Sequence, residues 1–151
     1  MYETGYYTTG YYATGYYMQD LQPALDTVRF TWQGLVLEAR YLIKDTSPLP
    51  VYLRWDDQTM VDTLNRGIEE LKRVRPDAYY TLFGIFDGYT PEVVITGASA
   101  GQVNWNSEFL LERRFYSAIL HYVVGMIYAG EDGSLPIAAE HLQLFREFAL
   151  S

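Results

Sequence analysis

The sequence predicts a mainly α-helical fold, a small helical bundle with a β-hairpin, preceded by an extended N-terminal arm. Three observations predict it. Apolar residues recur at three- and four-residue intervals in several segments, the spacing that lines one face of a helix. Two strand-like stretches flank the turn-forming run Asp87-Gly88-Tyr89-Thr90-Pro91. The start of the chain repeats Thr-Gly-Tyr-Tyr at Thr4–Tyr7, Thr9–Tyr12 and Thr14–Tyr17.

The repeat defines the arm, residues 1–22, and residues 23–151 form the domain. A glycine in every repeat weakens any helix by about 1 kcal/mol per residue. Units this short cannot bury a face on one another as solenoid repeats do. The segment therefore reads as extended chain. A polar tail without a partner is one reading of it, and a stacking platform for single-stranded nucleic acid is another. The arm has no Lys or Arg and carries Glu3 and Asp20, which disfavours nucleic acid. Docking on protein fits best, because tyrosine offers large contact area at low entropy cost and keeps a polar tip. Tyr6, Tyr7, Tyr11, Tyr12, Tyr16 and Tyr17 are the candidate docking residues. Repeated motifs also engage repeated sites, which raises effective concentration.

Within the domain, Leu35, Val36, Ala39, Leu42 and Ile43 share a helical stripe over residues 31–44, with Thr31 as cap. The run Asp45-Thr46-Ser47-Pro48-Leu49-Pro50 stops that helix, and Val51–Trp55 reads as a short extended piece. The clearest helix spans residues 56–75, where Met60, Val61, Leu64, Ile68, Leu71 and Val74 keep the helical interval. Asp56 or Asp57 caps it, Lys72, Arg73 and Arg75 suit its negative end, and Pro76 ends it. Gly67 is its interior weak point, a site for close approach of a neighbouring helix or a glycine that is simply tolerated. Tyr79–Phe86 and Glu92–Thr96 read as the hairpin strands. A hairpin alone is marginal, so it should lie on the helices or on another subunit, and its tip, Asp87, Gly88 and Tyr89, is a second candidate contact. Gly97–Gly101 reads as a small-residue loop. Asn106 or Ser107 is positioned to cap a long helix over residues 108–129, stopped by Gly130. Its second half is apolar on nearly every side, so it must be central or packed on a second subunit. Residues 135–149 form the last helix, with Ala138, His141, Leu142, Phe145 and Phe148 on one face and Pro136 in its first turn.

Composition bounds what the chain does. At 151 residues it fits one domain plus the arm. A chain of this size buries roughly 70% of its unfolded surface and needs no metal or disulfide staple. It contains no cysteine, which removes thiol chemistry. Aromatic residues make up 17% of the chain, an excess that suggests interface as well as core. Its net charge is −8, from eleven basic against nineteen acidic residues, so it is not built to grip a phosphate backbone. DNA can slide past such a surface. The N-terminus lacks a basic region and an apolar core, so no signal peptide is expected. The most apolar stretch, Phe115–Ala129, is interrupted by Ser117, His121 and Gly125, and no membrane span is expected.

Catalytic signatures are sparse. His121 and His141 are the only histidines, and each is expected to be a satisfied core residue. A zinc site needs three or four ligands, and the two histidines share no helical spacing. A serine triad is recognised by geometry, and no Gly-x-Ser-x-Gly elbow points to one. Gly97-Ala98-Ser99-Ala100-Gly101 lacks the lysine of a phosphate loop. Arg113-Arg114 suits either an acidic neighbour or a solvated helix face. No enzyme and no cofactor are expected.

One stretch is familiar. Asp57 to Tyr79, DQTMVDTLNRGIEELKRVRPDAY, resembles the head-to-tail adaptor, or head-completion, proteins of tailed bacteriophages. The shared pattern is a leucine-bearing helix with a central Asn, here Asn65, a basic end, and an Arg-Pro-Asp-Ala-Tyr break. Phe115–Tyr122, Tyr128–Asp132 and Ala138–Phe145 follow the family's order of helix, acidic turn and closing helix. The resemblance covers residues 55–150 and is most specific at Arg75–Tyr79. It implies a mainly helical virion structural protein of the neck, made in the host cytoplasm. Copies would form a homo-oligomeric ring under the portal protein, matching its twelve-fold symmetry. The ring would extend the DNA channel, let DNA pass without specific binding, and present a platform to a tail or nozzle protein. The family's long C-terminal extension has no counterpart after Ser151, and the tyrosine arm is expected to take over docking. Alternatives are another phage structural part, such as a tail terminator or capsid cement protein, or a small non-phage enzyme or regulator built around a concave polar site.

Overall fold

The computed structural model describes residues 30–47, 49, 53–80, 89–131 and 135–151. Four helices and one short strand pair make up the described part, so the mainly helical class is as predicted. Helix α1, Trp32–Leu42, is capped by Thr31, whose hydroxyl accepts the Gly34 N–H at 2.9 Å. Trp32, Leu35, Val36 and Ala39 carry it into the core. Beyond its end, Lys44 adopts a left-handed conformation, φ 57°, and reverses the chain. This conformation is uncommon for a residue with a Cβ.

Helix α2, Asp57–Val74, starts at Asp56, whose carboxylate accepts the Thr59 N–H at 2.8 Å. That hydrogen bond holds the Asp56 carboxyl below its usual range. Met60, Val61, Leu64, Ile68 and Leu71 form a buried stripe, as their spacing requires. The helix stops before Pro76, and a 3-10 turn, Pro76–Tyr79, follows. Tyr79 therefore belongs to this turn and does not open a strand. The rest of the expected first hairpin strand, and the turn residues Asp87 and Gly88, lie outside the described residues.

Strand β1, Glu92–Val94, forms where the second hairpin strand was expected, but the described partner is different. It pairs in parallel with β2, Gln102–Asn104, in the register Glu92↔Gln102, Val93↔Val103 and Val94↔Asn104. Parallel pairs ordinarily need a dozen or more residues to cross over. Here Gly97 at φ 74° and Gly101 at φ 81° turn the chain within a shorter link. Both angles lie in the region that favours glycine.

Helix α3, Arg113–Ala129, begins later than the sequence suggests, and Asn106 and Ser107 do not cap it. The preceding segment pairs elsewhere. Glu108 bridges Thr31 in antiparallel fashion, and the Phe109 N–H donates to the Phe30 carbonyl at 2.8 Å. Phe109 then packs on Trp32 at 4.6 Å and on Tyr116 at 5.2 Å between ring centres. Aromatic burial and a bridge to the entry of α1 outweigh a further turn of helix. Helix α4, Leu135–Leu150, closes the fold. Helix α3 touches α1, α2 and α4, so its all-round apolar character is explained by a central position. Two glycines set its distances to neighbours. A methyl on Gly67 of α2 would lie 3.0 Å from the Tyr122 ring, and one on Gly125 would lie 3.0 Å from the Leu142 side chain.

Candidate interaction surface and its supports

Three polar clusters shape the faces of this domain. The first is a corner at Arg75–Tyr79. The Arg75 guanidinium donates to Asp77 at 2.8 Å and, across the fold, to the Ala149 carbonyl at 2.8 Å. That hydrogen bond, aided by the Arg75 charge, holds the Asp77 carboxyl below the usual range. Tyr79 is fully buried, and its hydroxyl donates to the Ile68 carbonyl at 2.8 Å. Burial, with Glu69 nearby, pushes that hydroxyl well above the ordinary phenol range. The corner thus ties the end of α2 back on itself and on to the end of α4.

The second cluster joins α2 to the strands. Asn65 donates its amide to the Val93 carbonyl at 2.9 Å and accepts the Val93 N–H at 2.8 Å. The side chain imitates a strand neighbour and satisfies the edge of β1 that faces away from β2. Sequence reading placed Asn65 only as part of a pattern, because its partner lies far along the chain.

The third is a buried ionic knot below the end of α1. Arg40 and Asp45 are both nearly inaccessible and pair at 2.8 Å. Arg40 also reaches Asp57 at 2.9 Å. Asp45 accepts the backbone N–H of Arg54 at 2.8 Å and that of Trp55 at 3.3 Å. Arg54 continues the network to the Ile43 carbonyl and to Glu131. The sequence suggested only a loop-forming role for Asp45.

Large apolar side chains remain outside the core. On α1, Leu37 and Tyr41 are one turn apart and both exposed, Tyr41 by 77%. Tyr89, the described member of the expected tip, is 75% exposed, and Tyr80 is exposed as well. Thr90, next to Tyr89, donates its hydroxyl to Glu69 of α2 at 3.1 Å. Tyr6, Tyr7, Tyr11, Tyr12, Tyr16 and Tyr17 lie outside the described residues, as do Asp87 and Gly88. The paired arginines are engaged within the domain. Arg113 lies over Phe30 at 4.0 Å, and Arg114 pairs with Glu112 at 3.3 Å.

The histidines show what spacing along one helix could not reveal. His121 of α3 and His141 of α4 meet Nδ1 to Nδ1 at 2.9 Å. Phe148 stacks on His121 at 5.6 Å, and Tyr128 stacks on His141 at 6.0 Å. Both rings are half-buried, which lowers both pKa values. His141 depresses His121 further, while Glu140 opposes the shift at His141. Each histidine was expected to be a satisfied core residue, and the two share one hydrogen bond in a half-buried seam. Among the described residues, no group of three or more His, Asp or Glu side chains is arranged to hold a metal. No described helix is long and apolar enough to cross a membrane.

A scan of protein-family models and searches of curated proteins and of solved structures find no match to this chain.

Proposed function

We propose that this chain is a structural connector of a tailed bacteriophage. It would act as a head-to-tail adaptor whose copies form a ring under the portal, extend the DNA channel and receive the tail. The observation that carries the reading is the Arg75-Pro76-Asp77-Ala78-Tyr79 motif, the most specific part of the adaptor-like pattern. In this fold the motif has a definite physical task. It ends α2, buries Tyr79 and fastens the chain to α4.

The physical properties of the chain suit that role. A ring requires head-to-tail interfaces between unlike surfaces. Exposed Leu37 and Tyr41, and Tyr80 and Tyr89 beside the expected tip, provide apolar area outside the core. The tyrosine repeat supplies a segment suited to reach a neighbouring subunit. A net charge of −8 keeps a channel wall from trapping DNA by counterion release.

The test is the native mass of the protein alone and mixed with the portal ring of its own source. Addition of copies in a number matching the portal's symmetry supports the adaptor. No added mass rejects portal binding and favours a tail terminator or capsid cement protein.

A further inference from the structure

We propose that the His121–His141 contact is an acid-sensitive latch that holds α4 on α3 and releases it when both rings become charged. The geometry dictates the response. Two imidazoles bonded through their Nδ1 atoms must share one proton, with one ring donating and the other accepting. A first added proton can enter at a distal Nε2 and leave that bond intact. Phe148 and Tyr128, stacked on the two rings, tolerate one positive charge through their π faces. A second proton must occupy the accepting Nδ1. The bond is then lost, and two cations face each other in a half-buried seam. The pair therefore titrates in two coupled steps.

The surrounding charges do not cancel this effect. Glu140 on α4 favours a charged His141. The α2 charges on this side, Glu70, Arg66 and Arg73, bear on the Tyr122 hydroxyl. Arg54 and Glu131, beyond the end of α3, pair with each other at 2.8 Å. The hydroxyl of Tyr128 faces the Leu42 carbonyl of α1 at 3.3 Å. Burial lowers both histidines from the ordinary value of 6.5, so the unfolded chain takes up protons first as the solution is acidified. The stabilisation is complete above about pH 6.5 and is lost progressively below it. Opening would uncover Ala138, Phe145 and Ala149 of α4 together with the apolar face of α3.

The test uses the full chain. Proton NMR of the histidine ring C–H signals follows both titrations, and thermal unfolding is recorded from pH 8 to pH 5. The latch predicts two separated steps, with the second displaced downward from free imidazole. It also predicts that Tm falls more steeply with acidification in the wild type than in His141→Gln. That variant keeps polar reach without a second charge. Simultaneous titration of both rings near the ordinary value, or matching Tm profiles for wild type and variant, would overturn it. If His141→Gln fails to fold, the NMR titration of the wild type decides alone.

Discussion

Asn65 both donates to and accepts from one backbone residue, Val93, and this makes it a sharp test of how β1 is held. Replacing it with Ala leaves a donor and an acceptor without partners. Each such group, when buried, costs about 1–3 kcal/mol. Asn65→Ala should therefore destabilise the protein by about 2 kcal/mol in denaturant unfolding, with faster amide exchange at Val93. Asn65→Asp should not rescue it, because a carboxylate sets an acceptor against the Val93 carbonyl. Asp45 gives a second test. Its loss leaves the buried Arg40 guanidinium with Asp57 as its remaining carboxylate and frees the N–H groups of Arg54 and Trp55. Asp45→Ala should cost about 3 kcal/mol, the scale for breaking a buried pair from one side. A change below about 0.5 kcal/mol, the size of an ordinary surface substitution, would show that water replaces the carboxylate. Neither role was legible in the sequence. Helix periodicity and caps are local signals, whereas Asn65 and Val93 meet only after the chain has folded back. The same holds for His121 and His141, whose contact depends on the pairing of two separate helices.

Elements were legible where local rules and tertiary packing agree. Thr31 and Asp56 cap the helices they precede, and Pro76 ends α2, because each signal acts within a turn of its own position. The start of α3 was misread because Asn106 and Ser107 are good local caps. A bridge to Thr31 and the burial of Phe109 pull the segment into extended form. The partner of β1 was missed because Gln102–Asn104 is three residues long and shows little alternation of its own. The α3–α4 seam offers a test at this scale. Alanine in a helix interior is favoured over glycine by about 1 kcal/mol. At Gly125, however, the added methyl lies 3.0 Å from Leu142 and 3.3 Å from the Ala138 carbonyl. Overpacking costs about 1–3 kcal/mol. The backbone carbonyl cannot retreat as a side chain can, so Gly125→Ala should be net destabilising by about 1 kcal/mol in thermal or denaturant unfolding. Leu142→Ala should then cost less in the Gly125→Ala background than in the wild type, since the two groups compete for one space. Additive effects would place the strain elsewhere.

At the scale of the whole molecule, the sequence predicts that the core and the repeat are separable, because the helical apolar stripes begin after the repeat and the repeat has no helical period. On that reading, removing residues 1–18 should leave the unfolding free energy within about 0.5 kcal/mol of the full chain, the range of a substitution away from the core. If the arm docks on a neighbour, the same truncation should abolish stable ring assembly on the portal, read as loss of the added mass. Substitution within the repeat separates contact area from length. Changing Tyr6, Tyr7, Tyr11, Tyr12, Tyr16 and Tyr17 to Phe keeps the aromatic surface and should retain most assembly. Changing them to Ser removes that surface and should match the truncation. Normal assembly by a folded, truncated chain would remove the docking role from the arm and leave the exposed faces of the domain, beginning with Leu37 and Tyr41, to make the contacts.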